Sequence, residues 1–242
     1  MKKTTTIIAM IGSFTLSTAL TVSAQTAAPE QRAFLNVSAG GQFQTHDFTS
    51  VTTFELYDET GSVTANQTVG GGFVFDVTGG YHFARSFAGA IGVSTFNGSG
   101  GAASVASIPS PLFVGKPTIK EFDASQYGDL KQTNVAINFQ IVWMTSITPK
   151  LDLAAFGGPS VIHVSQDIAS ATPVLNSTAT VERQTATTGK AGNVGVDLTY
   201  RINNRFGVGG FIRYLGGSVD LPAIEGLGIG GVQAGGGIRV RF

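Results

Sequence analysis

The final stretch of the chain, residues 230–242, alternates strictly between two kinds of side chain. Counting back from Phe242 in steps of two gives apolar or small residues, among them Val240 and Ile238. The positions between them carry arginine and glutamine among glycines: Arg241, Arg239 and Gln233. A period of two over this length predicts a strand whose two faces meet very different surroundings. Soluble strands usually have about 5–6 residues, whereas a tilted strand needs roughly 9–11 to cross a bilayer.

The first 24 residues have the layout of a secretory signal. Two lysines precede an apolar stretch from Ile7 to Val22, and the small residues Val22-Ser23-Ala24 form a cleavage site before Gln25. A transmembrane anchor is the alternative, but serines and a threonine interrupt the apolar stretch. We therefore predict that 1–24 is a signal peptide and that 25–242 is one exported domain.

Composition excludes several classes of protein. Charged residues make up 12% of the chain, against about 25% in ordinary soluble domains, so much of the surface should face lipid or a partner. The absence of cysteine excludes disulfides, thiol catalysis and thiolate metal sites. Lys and Arg number 15 and Asp and Glu number 15, which argues against nucleic acid as a partner. No stretch after the signal has the ~18 consecutive apolar residues of a membrane helix.

Seven further stretches share the two-faced alternation of the last one, and the connections between them alternate in length. Together the pattern predicts an all-β, antiparallel, up-and-down barrel of about eight strands, with ten as the alternative count. Short turns are expected at 84–86, 145–150 and 203–205, and long loops at 45–68, 97–132, 165–188 and 216–228, with an outward continuation of the hairpin as the alternative at 45–68. Pro159 is expected to mark a bulge or the exit of a strand.

The signal, the rhythm of the connections and a last strand ending on Phe242 resemble small bacterial outer-membrane β-barrels of the OmpA, OmpX and opacity-protein type. The resemblance implies short periplasmic turns, long extracellular loops and a location in the bacterial outer membrane after export through the periplasm. It also implies contact with outer-membrane lipid and lipopolysaccharide and insertion by the barrel-assembly machinery. In that family the C-terminal assembly signal would correspond to Phe242, Val240 and Ile238. A secreted sandwich or lipocalin-like barrel is the rival fold, and the bulky, uniformly apolar face favours the membrane barrel.

Charged residues recur on the face of the strands opposite to the apolar one. Buried charges must be paired, so a salt-bridge network that fills the lumen is expected among Asp76, Asp152, Asp197, Arg201, Arg213 and Arg239, with Arg241 near the rim. This favours an envelope protein with a structural or surface-interaction role and a largely plugged lumen. The alternative is a narrow channel for small, hydrophobic solutes.

The sequence offers little for catalysis. His46, His82 and His163 lack the spacing of metal ligands. His163-Val164-Ser165 faintly resembles the His-x-Ser-Asn element of outer-membrane lipid A deacylases, but Gln166 replaces the asparagine and no orienting residue can be assigned. A lipid A-modifying acyl hydrolase is therefore the second alternative, and we predict no enzyme, no catalytic residue, no cofactor and no metal.

Two of the predicted loops, 45–68 and 97–132, are candidates for contact with an extracellular ligand. The second is unusually apolar, with a run from Ile108 to Val114 and aromatic residues between Phe122 and Tyr127. These residues should form either a small core of their own or an adhesive surface.

Overall fold

The computed structural model describes residues 32–113, 115–171, 178–221 and 224–242, so the predicted signal peptide lies outside the described residues. Ten strands and one short helix follow one another along the chain: β1 (Ala33–Gln42), β2 (His46–Leu56), β3 (Glu59–Ala84), β4 (Phe87–Ile108), β5 (Thr118–Phe122), α1 (Ala124–Tyr127), β6 (Leu130–Thr148), β7 (Leu151–Ala171), β8 (Ala179–Arg201), β9 (Phe206–Leu221) and β10 (Ile224–Arg241). Within these residues, no helix has the length and apolar character that crossing a membrane requires.

The strands close into a ring with eight positions. The antiparallel ring runs in the order β1-β3-β4-β6-β7-β8-β9-β10, and β1 pairs with β10 from Phe34↔Arg241 to Gln42↔Gln233, which closes it. Two of the eight positions in the ring are each occupied by two strands, one nearer the short turns and the other farther from them. Beside β3, β1 covers residues 72–81 and β2 covers residues 59–69; beside β4, β6 and β5 divide the length in the same way. The prediction of an eight-stranded antiparallel barrel is confirmed.

The predicted long loops at 45–68 and 97–132 are wrong in extent, because most of their residues continue the strands. β3 has 26 residues and β4 has 22, and β2 and β3 are joined by a tight turn at Tyr57 and Asp58. Most of 165–188 and 216–228 likewise belongs to β7–β10. The segments 45–68 and 165–188 are rich in Thr and Ser, and their β-branched residues suit a strand with one face in water. Their polarity reflects the solvent and does not indicate a loop.

The outer surface divides into two zones along the strands. Nearer the short turns, exposed side chains are large and apolar, and we call this zone the belt. Its outward residues lie within 35–43, 73–83, 87–95, 135–143, 151–161, 194–202, 206–214 and 232–242. Beyond the belt lies the extension, where the outward residues of β3 are Ser62, Thr64, Asn66 and Thr68. The outer surface therefore changes from apolar in the belt to polar in the extension.

The interior shows the opposite change. Inside the belt lie charged and amide side chains, described below, with a small apolar cluster that includes Phe34 and Val142 at the short-turn end. Inside the extension lie two apolar clusters, one built around Ile162, Leu215 and Ile229 and the other around Ile108, Phe122 and Tyr127. Ile108, Phe122 and Tyr127 of the apolar segment 108–127 thus contribute to a small buried core, as the first alternative expects, whereas Leu112 and Phe113 are exposed, as the second expects.

Tyr127 illustrates this core. Its ring packs edge-on against Phe122 at a centroid distance of 6.3 Å, and its hydroxyl is hydrogen-bonded to Ser104. Burial raises the pKa of the Tyr127 phenol, and the hydrogen bond with Ser104 acts in the opposite direction. The phenol is therefore neutral and serves as a packing and hydrogen-bonding group.

A bulge in β3 changes which residues face inward. The register between β3 and β4 shifts between Val69 and Gly72, so inward positions are even-numbered in the belt and odd-numbered in the extension. The apolar odd-numbered residues consequently point outward at Phe73 and Phe75 and inward at Val63 and Val69. One extra residue on one strand is enough to reverse the two faces.

Pro159 neither bulges nor ends β7, contrary to the sequence-based expectation. The register between β6 and β7 is the same on both sides of it, with Asn138↔Ser160 and Ile141↔Gly157. The pairs between these positions are missing because proline has no N–H to donate to β6.

Gly230 and Gly228 on β10 allow a matched test of the backbone where the belt meets the extension. Gly230 has a φ of 101°, and a Cβ there would clash with the Leu215 carbonyl, whereas a Cβ at Gly228 would meet nothing within 4 Å. We expect Gly230→Ala to lower the free energy of unfolding by about 1–3 kcal/mol through backbone strain and Gly228→Ala to change it little. Urea unfolding of both variants in lipid vesicles measures the difference. Equal losses of stability would contradict the conclusion that the backbone at position 230 requires glycine.

Candidate functional site

The six charged residues expected in the lumen all point into the barrel. Asp76, Asp152, Asp197, Arg213 and Arg239 are each less than 9% exposed, while the side chain of Arg201 is 29% exposed at the short-turn end. All six belong to ion pairs. We call these residues, together with Arg241 and their hydrogen-bond partners, the luminal network.

One unit of the network joins β3 to β9. Arg213 Nη1 donates to Asp76 Oδ2 at 2.6 Å, and the hydroxyl of Thr78 donates to Asp76 Oδ1 at 2.9 Å. Arg213 Nε donates to Gln233 Oε1 at 2.6 Å, and Gln233 in turn donates to Gln42 at 2.9 Å. Both charges are thus paired and further hydrogen-bonded, as burial away from water requires.

A second unit repeats this arrangement between β8 and β10. Arg239 forms an ion pair with Asp197 through Nη2, and its Nε lies 3.1 Å from Asp197 Oδ2. The hydroxyl of Thr199 donates to Asp197 Oδ1 at 2.8 Å, and Arg239 Nη1 donates to Ser38 Oγ at 2.8 Å. In both units an Asp accepts from the Thr two residues later on its own strand and from an Arg on another strand.

The third unit lies at the rim on the short-turn side. Asp152 accepts from Arg241 Nη2 at 2.7 Å and from the Ser146 hydroxyl at 2.6 Å. Arg201 Nε lies 3.1 Å from Asp152 Oδ2 but lacks hydrogen-bond geometry, so we treat this contact as electrostatic. Arg201 donates instead to the Pro149 carbonyl at 2.8 Å. Two arginines thus share one carboxylate where the lumen opens to solvent.

Amide and hydroxyl side chains fill the lumen between the charged units. Asn138 donates to Ser94 at 3.1 Å and accepts from Ser160 at 2.7 Å. Asn193 accepts from Gln140 at 2.7 Å and donates to Ser160 at 2.8 Å. The chain of hydrogen bonds therefore joins the four neighbouring strands β4, β6, β7 and β8.

Little free space remains in the lumen of the barrel. A cavity of about 60 Å³ lies among the three charged units, bordered by Asp76, Asp152, Arg213 and Arg239. It has room for only a few waters, since a cavity needs about 10–15 Å³ of such volume to hold one water. The buried Nη2 of Arg213 has no hydrogen-bond partner among the described residues. A second cavity of about 10 Å³ lies near Gln42 and Gln233, and the apolar cores of the extension follow above it.

The histidine and serine that resemble the deacylase element lie on the outer face of β7, away from the luminal network. Alternate residues of β7 from Ile162 to Ile168 are buried, so His163 and Ser165 point outward. Ser165 Oγ lies 3.4 Å from Thr185 Oγ1. In the described part of the chain, no hydrogen bond joins His163 to Ser165 or to a carboxylate.

The other two histidines make structural contacts within the barrel. His46 Nε2 lies 2.6 Å from the Gly230 carbonyl oxygen. His82 lies 3.1 Å from the Arg32 carbonyl oxygen through Nδ1 and packs edge-on against Phe34. Across the described residues, no group of three or more His, Asp or Glu side chains is arranged to hold a metal ion.

The residues of the expected C-terminal assembly signal lie on the outer face of β10. Phe242 is 63% exposed and Ile238 is 56% exposed, and Val240 is half-buried. Phe242 N donates to the Ala33 carbonyl at 2.8 Å, so the main chain of the last residue takes part in closing the ring.

The hydroxyl and amide partners in the network were not assigned from the sequence. Thr78 and Thr199 each follow an Asp by two positions, and the recurrence of Asp-x-Thr in two strands was a readable signal. Ser38 carried no such signal, because its contact with Arg239 depends on pairing between β1 and β10.

The fold is therefore a closed eight-stranded antiparallel barrel with a paired polar interior and an apolar outer belt. No protein family and no curated protein matches the chain. Among solved structures it is similar to Neisserial surface protein A, with 12% identity, 87% of this chain and 97% of that chain covered and a TM-score of 0.44. It is also similar to the outer membrane protein OprG from Pseudomonas aeruginosa, with 12% identity, coverage of 88% and 96% and a TM-score of 0.42.

A third similar structure is Ail, the attachment invasion locus protein of Yersinia pestis, in complex with the heparin analogue sucrose octasulfate. The identity is 13%, the coverage is 86% of this chain and 99% of that chain, and the TM-score is 0.38. All three matches have TM-scores below 0.5. At these TM-scores they carry no argument about function, so the fold assignment rests on the strand pairing of this chain itself.

Proposed function

We propose that this chain is an integral protein of the bacterial outer membrane with a sealed lumen and a structural and surface-interaction role. The belt carries the proposal. Its outward side chains include Ile91, Ile141, Val194 and Ile212, each more than half exposed. A continuous apolar ring of this kind would be costly in water and is favourable against lipid chains.

The dimensions of the belt support the same conclusion. On β6 the outward apolar residues run from Val135 to Trp143, which matches the roughly 9–11 residues of a tilted membrane-crossing strand. Exposed aromatic residues lie toward both ends of the belt, with Trp143 and Phe206 near the short turns and Phe73 and Tyr214 near the extension. Aromatic girdles of this kind are typical of the two membrane–water interfaces.

Export and insertion belong to the same proposal. The signal at 1–24 would direct the chain across the inner membrane, and the barrel-assembly machinery would then insert it. The short turns would face the periplasm, the belt would contact outer-membrane lipid and lipopolysaccharide, and the extension would project outside the cell. The segments 45–68 and 97–132 would thereby be presented to an extracellular ligand largely as strands.

The paired interior supports a sealed lumen over the alternative of a narrow channel. The charges of Asp76 and Asp197 are directly paired with Arg213 and Arg239, and apolar cores fill the extension above them. A path for solutes would have to cross both layers. The alternative of a lipid A acyl hydrolase draws no support from the geometry, since His163 and Ser165 are not oriented by a carboxylate in the described structure.

We expect the purified barrel to insert into planar bilayers without producing large, stable single-channel steps, because the luminal network and the extension cores block the lumen. Conductance recordings on refolded protein test this. Heat-modifiable gel mobility of the same sample shows that the barrel is folded. Stable steps from a heat-modifiable sample would contradict the sealed lumen and favour the channel.

A further inference from the structure

One flank of the extension ends in an unpaired strand. β2 pairs with β3 along its whole length, from His46↔Val69 to Leu56↔Glu59, without a register shift. Among the described strands, none pairs with its other side. The neighbour in the ring, β10, pairs with β1 only as far as Gln42↔Gln233, and above this level the His46 side chain makes the hydrogen bond that links β2 to β10.

The turn of the hairpin shows which backbone groups face the open side. Tyr57 and Asp58 have φ values of 55° and 58°, which is a two-residue type I′ turn. Leu56 and Glu59, which flank it, form a hydrogen-bonded pair, and such pairs alternate along an antiparallel ladder. Even-numbered residues of β2 therefore bond to β3. The odd-numbered residues direct N–H and C=O away from it: Asp47, Thr49, Val51, Thr53 and Glu55.

The edge of β2 is long and is charged only near its two ends. Edge strands are commonly short, bulged, charged or interrupted by proline, whereas β2 has 11 residues without a bulge, lysine or proline, and its acidic residues are Asp47 and Glu55. Its inward side chains Phe48, Phe54 and Leu56 are only half-buried, although they pack against the apolar cores. A further strand beside β2 would pair the free backbone groups and cover these apolar side chains.

The charge of the hairpin narrows the choice of partner. Residues 46–69 contain Asp47, Glu55, Asp58 and Glu59 and neither lysine nor arginine. A second copy of β2, paired antiparallel about Val51, would place Asp47 opposite Glu55 at both ends, and like charges in such positions are destabilising. A basic segment from another protein would avoid this repulsion.

We propose that the open edge of β2 binds an extended segment of another protein by strand addition. The partner segment alternates apolar residues, which face inward beside Phe48 and Phe54, with basic residues, which face outward beside Asp47 and Glu55. The proposal rests on the proposed function in one respect, namely that the extension lies outside the cell.

The test uses the full barrel refolded in phosphatidylcholine vesicles and labelled peptides of about nine residues, long enough to span the exposed backbone groups at ~3.4 Å per residue. One peptide alternates valine with lysine and the other alternates valine with glutamate. Fluorescence anisotropy should show binding of the valine–lysine peptide alone. Hydrogen exchange at the N–H groups of Thr49, Val51 and Thr53 should slow when it binds.

Two variants of one residue separate backbone pairing from other contacts. Val51→Pro removes an N–H on the open side without removing a bond to β3, so it should weaken binding by about tenfold, a change equivalent to about one hydrogen bond. Val51→Thr keeps the N–H and should stay within about twofold of the wild type. Far-UV circular dichroism of both variants shows whether the barrel is retained.

Equal binding by Val51→Pro and the wild type would overturn the proposal, because it would show attraction by charge alone. Self-association that Val51→Pro abolishes in sedimentation experiments would also overturn it, since the occupant would be a second copy. Conductance through the lumen would contradict the proposed sealed lumen without changing the peptide-binding result. Failure of the proposed function and failure of strand addition are therefore distinguishable.

Discussion

Replacement of Arg239 by methionine should lower the free energy of unfolding of the inserted barrel by about 3–5 kcal/mol. Methionine is apolar and removes the charge while filling part of the space. Asp197, which is 8% exposed, would keep only the Thr199 hydroxyl as a hydrogen-bonding partner among those seen in the structure. Urea unfolding in vesicles, followed by the fluorescence of Trp143, the single tryptophan, measures the change.

Two controls distinguish burial from the loss of an arginine as such. Arg241→Met removes a side chain that is 25% exposed and leaves Asp152 in contact with Arg201, so we expect a loss of about 1 kcal/mol or less. The double variant with Asp197→Leu and Arg239→Met removes both buried charges and should recover most of the stability lost by the single variant. Equal losses of stability for Arg239→Met and Arg241→Met would show that the buried Arg239–Asp197 pair matters no more for stability than the more exposed pair at the rim.

The barrel was predictable from the sequence because the belt imposes a simple rule. The strands there have one apolar face and one face of polar or small residues, and on β6 the alternation can be counted directly from Val135 to Trp143. The register of one strand against the next is not visible in this way. Arg213 and Asp76 are 137 positions apart in the sequence, so the charges could be assigned to the lumen but not to their partners.

The extension was not predicted because its polarity is reversed. In the belt, the apolar residues of β3 face outward; beyond the bulge at Gly70 and Gly71, the apolar residues face inward and the outward ones are Thr, Ser and Asn. The sequence pattern of a Thr-rich segment between apolar strands predicts a loop, unless the bulge that reverses the inward and outward faces is taken into account. The segment 46–56 illustrates the consequence, since it was expected to be a loop and is a strand with an open edge.

The opposite orientation of apolar side chains in the belt and in the extension has one physical cause. A strand in lipid buries its polar side chains inside the barrel, and a strand in water buries its apolar side chains. The chain passes from one regime to the other within single strands, and on β3 it does so at the glycines 70–72, where the register shifts. At the position that β1 and β2 share beside β3, this change falls between Gln42 and His46. This level therefore marks the proposed outer surface of the membrane.

Replacement of Phe242 by alanine should reduce the amount of assembled barrel in cells by about tenfold, the change that would follow from losing about 1.4 kcal/mol of binding to the assembly machinery. The assembly role of Phe242 is a proposal that rests on the resemblance to outer-membrane barrels. The structure gives a reason to separate it from stability. The ring-closing contact of Phe242 with Ala33 is made by the main chain, which the variant retains, and the side chain is 63% exposed.

Refolded Phe242→Ala barrel should accordingly lose only about 1–2 kcal/mol of unfolding free energy, since one outward apolar side chain is shortened. Ile212→Ala is the matched control, because Ile212 lies in the belt on β9 with 58% exposure and outside the proposed signal. It should cost a similar free energy without reducing assembly. Heat-modifiable mobility in outer-membrane fractions measures assembly, and equal amounts of the two variants in cells would mean that Phe242 acts only as one more lipid-facing side chain.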